Sequence, residues 1–90
     1  MKSGNKIKTI DLNDFLTDGI IKEEKFREKL NAIDWVEFSN QKVLIKGCAS
    51  VPIPTWAYMM ITARLTEYAN QVLYGELCSA YSIFEKKLNI

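Results

Sequence analysis

Polar and apolar residues alternate at the start of this chain. Ile7, Thr9 and Asp11 fall on one side and Lys8, Ile10 and Leu12 on the other, the two-residue period of a short strand. Asn13 or Asp14 suits the cap of a brief helical turn ending at Leu16, and Thr17-Asp18-Gly19 supplies a turn. The period then lengthens. Phe26, Leu30 and Ile33 stand at i, i+4 and i+7, which predicts an amphipathic helix over residues 22–33. Glu23 and Glu24 occupy its first turn, where the helix dipole favours negative charge, and Glu24–Arg27 and Lys25–Glu28 are spaced to pair. Residues 34–38 extend this helix or turn off it, with Trp35 and Phe38 placed to close over a core; residues 39–41 are a loop.

A second block begins at Lys42. Val43-Leu44-Ile45 is a short apolar run ended by Gly47, the pattern of a buried strand. Pro52-Ile53-Pro54 stiffens the following loop and holds off a helix start until Thr55, a suitable N-cap. The helix predicted through Tyr68 is apolar on nearly every side in its first half (Trp56-Ala57-Tyr58-Met59-Met60-Ile61), which requires cover from more than one direction. One cover is a sheet; the other is a second surface such as another subunit. Asn70 suits a left-handed cap, residues 71–74 form a strand, and Gly75 turns the chain. Tyr81, Phe84 and Leu88 fit a helical stripe with Glu85-Lys86-Lys87 as its wet face, so the spacing predicts a last helix over residues 79–88.

Strand, crossover helix and strand make a βαβ unit, whose strands run parallel and end at one edge of the sheet. The fold class expected is therefore α/β, a small domain with a parallel βαβ core and flanking helices. Ninety residues make one domain, here residues 7–90 behind a polar tail at residues 1–6. An apolar content of 48% is ample for a core, and in a chain this small it favours hiding part of the surface in a homodimer. Twelve basic and eleven acidic residues give a net charge of +1, without the basic face that nucleic acid requires. No apolar run approaches the roughly 20 residues that span a bilayer, and the polar start has no secretory core behind it. The expected partners thus exclude nucleic acid and membrane, and the expected location is cytoplasmic.

The candidate chemistry lies at the strand ends. Cys48 directly follows the first βαβ strand, and Cys78 follows the second after Gly75-Glu76-Leu77. Open α/β sheets bind ligands at that edge. Adjacent strands lie about 4.8 Å apart, so neighbouring strands would bring the two thiols within reach of a shared metal, a disulfide or each other. The plainest reading is that both are small buried apolar side chains, as free cysteines usually are. A metal site, with zinc as the candidate ion, needs four ligands, and the chain has no histidine. Glu76, or the same two cysteines of a second copy, would complete it. A redox or nucleophilic thiol is the third reading. Cys48 precedes a helix whose N-terminus lowers a thiol's pKa, but a loop separates them and the usual histidine base is absent. Trp56, Tyr58 and Glu76 are the candidate ligand-binding residues, the two aromatics being more often core or interface. Met59-Met60 reads as packing, Arg64–Glu67 as a surface ion pair, and Lys46 as a solvated strand residue or a weak anion attractor. No phosphate loop, GxGxxG, paired carboxylates or serine triad is present, so an enzymatic activity is not legible.

At Ile45-Lys46-Gly47-Cys48, Pro52-Ile53-Pro54-Thr55-Trp56-Ala57-Tyr58 and Tyr74-Gly75-Glu76-Leu77-Cys78-Ser79, the chain resembles an uncharacterised bacterial family, domain of unknown function 2480. Asp14-Phe15-Leu16, Gly19-Ile20-Ile21 and Lys25-Phe26-Arg27-Glu28 are similar to that family's first half. Its members are about twice as long and carry two related units of strand, proline turn, helix and strand. One unit resembles the segment from Pro54 to Tyr58; the other resembles Lys46 to Cys48 and Gly75 to Cys78. This chain combines both signatures in one copy. The resemblance implies a fold and a homodimer that recovers the two-unit arrangement, and it implies no reaction. The function expected is that of a cytosolic homo-oligomeric domain binding a partner or small ligand at the cysteine edge. The alternative is a metal-binding or thiol-dependent protein centred on Cys48 and Cys78.

Overall fold

A computed structural model describes residues 7–47 and 51–86. Its elements are β1 (Ile7–Asp11), α1 (Glu23–Ala32), β2 (Lys42–Lys46), α2 (Thr55–Leu65), β3 (Gln71–Tyr74) and β4 (Tyr81–Glu85), with short 3-10 turns at Leu12–Phe15, Trp35–Phe38 and Leu77–Ser79. The four strands form one sheet in sequential order. β1 and β2 pair in parallel, as do β2 and β3, while β4 returns antiparallel to β3. The fold is α/β, and its parallel core contains the expected βαβ unit preceded by a second one, β1-α1-β2.

Both helices cover the same face. Ile10, Val43, Ile45 and Val72 point from the sheet into a cluster with Phe26 and Leu30 of α1 and Ala57, Ile61 and Leu65 of α2. Phe26, Ala57, Ile61 and Leu65 are fully buried, and removal of such side chains from water drives the packing. The expected stripe Phe26, Leu30, Ile33 is the buried face of α1, with Ile33 half-buried at its end. Trp35 and Phe38 close that end. The Trp35 indole donates to the Leu30 carbonyl at 2.9 Å, a second and shorter bond to a helix-end acceptor that also takes the Ile33 N–H at 3.3 Å.

Several local expectations are corrected. The first turn is capped by Asp11, whose carboxylate accepts the Asn13 N–H at 2.9 Å, rather than by Asn13 or Asp14. Arg27 pairs with Glu23 at 3.1 Å, not Glu24, because i,i+4 geometry aligns them; Lys25 pairs with Glu28 as expected. Pro54 is the cap of α2, and Thr55 is already helical with no capping bond. The left-handed non-glycine residues among those described are Asp18 (φ 54°), in the expected turn, and Asn40 (φ 61°), not Asn70. Asn40 donates to the Tyr68 carbonyl, and the Gln41 carbonyl accepts from Asn70 and Gln71. This knot starts β2 and β3 side by side.

The largest correction concerns the last segment. Residues 81–85 are a strand, not a helix. Tyr81 and Phe84 do share a face, opposite Tyr74 and Val72, although those two are only two residues apart. A bulge between the two pairs inserts Ile83 as an extra residue and stretches the strand's spacing to three. That spacing imitates a helical stripe. Gln71 anchors the other face, donating to Ser82 Oγ at 2.9 Å and Glu85 Oε2 at 3.2 Å.

Candidate functional site at the strand ends

β2 and β3 are parallel neighbours, so they end together as the βαβ reading requires. The Gly75 N–H donates to the Ile45 carbonyl at 3.2 Å and carries the ladder one step further. Gly75 then adopts φ 124°, a conformation that side chains strongly disfavour, and turns the chain into the 3-10 turn holding Cys78. Cys78 is exposed and not in a disulfide. Cys48 lies outside the described residues, so the distance between the two thiols is not part of this geometry. Among the described residues, no group of three or more histidine, cysteine, aspartate or glutamate side chains is placed to hold a metal ion.

The three candidate ligand-binding residues do not converge. Trp56 and Tyr58 are two positions apart on α2 and so point to different sides of it. Trp56 turns toward α1, its ring edge-on to Phe26 at 5.6 Å, beside Glu23, Arg27 and Met60. Tyr58 turns toward the strand ends and stands edge-on to Tyr74 at 5.2 Å. Its hydroxyl lies over Gly47, so closely that a Cβ there would stand 2.6 Å from the oxygen. Glu76 pairs instead with Lys46, Oε1 to Nζ 4.0 Å, across the ends of β2 and β3. Arg64 is likewise drawn away from Glu67: it bonds Asn31 at 2.6 Å and lies over the Trp35 ring at 5.8 Å.

What α2 and the sheet do gather is an apolar groove. The two helices leave part of β4 uncovered on the helix face, where Phe84 packs against the core but Tyr81 and Ile83 are exposed. Two adjoining cavities, of about 220 Å³ and 460 Å³, run between α2 and β4. Tyr58, Thr62 and Ile83 line both, with Ile45 and Tyr74 at one end and Met59 and Ala63 at the other. Met59 is 65% exposed and Ile83 is 44% exposed, whereas Met60 packs against the core. α2 is thus buried along a single stripe, Ala57-Ile61-Leu65, and the second cover its sequence calls for is not supplied within the described residues. The sequence signal for this groove was the surplus of apolar residues on α2; Ile83 carried no signal because its segment read as helix. A separate cleft of about 450 Å³ beside β1 is lined by the apolar Ile10, Phe15, Ile33 and Phe38 and by the charged Asp14, Lys29, Asp34 and Glu37. No helix among the described residues is long and apolar enough to cross a membrane.

Compared with known families, the chain matches one described as Protein of unknown function (DUF2480), over residues 1–44 and 26–86. The chain belongs to this family. The two DUF2480 matches overlap at residues 26–44, so most of α1 and the start of β2 are matched twice. No curated protein and no solved structure matches the chain.

Proposed function

We propose that this DUF2480 chain is a self-associating binding domain, a homodimer that presents the strand-end edge of β2 and β3 to a small ligand or partner. The observation that carries this reading is the one-sided burial of α2: an apolar helix with Met59 and the α2–β4 groove left uncovered. A surface of that kind is unfavourable in water and marks an interaction site. The doubly matched residues 26–44 support the same reading. A family pattern with two related units produces such an overlap when laid on a chain holding one, and a second copy then supplies the other. Sedimentation equilibrium of the purified protein tests the proposal. A dimer at micromolar concentration is the expected result, and a monomer throughout that range contradicts it.

A second reading, a metal- or thiol-dependent protein centred on Cys48 and Cys78, is favoured by the parallel adjacency of β2 and β3 and the exposure of the Cys78 thiol. It predicts that protein purified without chelator carries zinc, or that alkylation modifies both thiols in the native state. Cys48→Ser and Cys78→Ser would each remove that property and leave the fold intact. A metal-free native mass spectrum together with an unreactive Cys48 counts against it.

A further inference from the structure

We infer that the α2–β4 groove is where two copies of this chain meet, with the outer face of each α2 seated against the other's groove and Met59 entering it. The inference rests on the homodimer proposed above and assigns its surface. Three observations favour this face and this occupant.

The first is area. Met59, Tyr74, Tyr81 and Ile83 are 65%, 41%, 70% and 44% exposed and contiguous: Tyr74 and Ile83 share one cavity, Met59 and Ile83 the next, and Tyr81 stands opposite Tyr74 on the same face. At about 200 Å² for each tyrosine and less for Met59 and Ile83, they offer somewhat under about 450 Å² of exposed surface, most of it apolar. A stable interface buries about 800 Å² per partner, a little over half of it apolar. The patch therefore matches the apolar half of one side of a dimer.

The second is shape and charge. No charged residue lines either cavity. Beside the protruding Met59, α2 presents Thr62 and Ala63, both small, with Thr62 Oγ1 already donating to the Tyr58 carbonyl at 2.8 Å. Ridge and groove lie side by side on one surface, the arrangement that a two-fold axis needs for each copy's ridge to fill the other's groove.

The third is the character of the alternatives, among them the cleft beside β1, whose lining includes the charged Asp14, Lys29, Asp34 and Glu37. On the sheet face away from the helices, Leu44 at the centre is 1% exposed, and Ile7, 37% exposed, stands at the edge among the exposed polar positions Thr9, Lys42, Ser82 and Glu85. Of the two free sheet edges, β4 carries a bulge at Ile83 and is followed by Lys86, and β1 carries the charged Lys8 and Asp11, features that hinder strand addition. Val36 and Ile20, 62% and 53% exposed, lie elsewhere in the chain and line none of these cavities.

Sedimentation equilibrium of four proteins separates the outcomes: the unaltered chain, Met59→Glu, Ile83→Glu and Val36→Glu. The unaltered chain and Val36→Glu should be dimers. Met59→Glu should weaken association by at least about tenfold per site, about a hundredfold across a two-fold dimer, with a circular dichroism spectrum unchanged. Met59→Gln, of similar length, should weaken it in the same direction and serves where the charged variant does not fold. If the unaltered chain is a dimer and the Met59 and Ile83 variants remain equally tight, this surface is wrong while the homodimer stands. If the unaltered chain is a monomer, both fall.

Discussion

The Tyr58 hydroxyl rests on Gly47 where β2 ends, and the contact leaves no room for a methyl group. The next ring atom, Cζ, would be 3.6 Å from an added Cβ, an ordinary contact. The obstruction is thus one oxygen. Gly47→Ala should destabilise the fold by about 1–3 kcal/mol through overpacking. The same substitution in a Tyr58→Phe background should be neutral or stabilising by about 0.4–1 kcal/mol, since alanine narrows the unfolded ensemble. Urea unfolding of the four proteins of this cycle measures the coupling. Equal destabilisation in both backgrounds would show that Gly47 is required for another reason. At this scale the sequence marked Tyr58 and Gly47 separately, but their contact depends on how α2 crosses the sheet, which no local pattern encodes.

The elements differ in how openly the sequence displays them. β1 and α1 were legible from a repeating period and β2, α2 and β3 from apolar runs, and Gly47, the proline turn and Gly75 mark where they stop. β4 was not, because its bulge gives Tyr81 and Phe84 the spacing of a helix. The two structures predict opposite results for deletion of Ile83. In the bulged strand, deletion leaves Tyr81 opposite Tyr74 and Phe84 opposite Val72 and removes only the extra residue. The fold should survive with a stability change of about 1 kcal/mol, the middle of the range for single changes, and an unchanged far-ultraviolet dichroism spectrum. In a helix, deletion would turn Tyr81 away from Phe84 by about 100°, and unfolding or a large loss of stability would support that geometry instead. The candidate site was half legible for a related reason. The adjacency of β2 and β3 followed from the βαβ pattern, but Trp56 and Tyr58 diverge around α2, and the groove needs Ile83, which only the strand places there.

The described residues form a two-layer α/β domain with two helices over a four-stranded sheet, and the helix layer covers only part of β4. One helix face, one strand and the groove between them are left with apolar side chains and no cover within the described residues. In the proposed homodimer a second copy would give α2 the second buried side that its sequence asks for, and the family match that covers residues 26–44 twice is consistent with a single unit paired in that way. The strand-end edge, with Cys78 exposed and Lys46 paired to Glu76, then remains available for a ligand. The most direct test of this account is the mass of the native particle by sedimentation equilibrium across the micromolar range, measured beside Met59→Glu. A dimer that Met59→Glu converts to a folded monomer is the predicted result; an unaltered chain that sediments as a monomer at every concentration contradicts it.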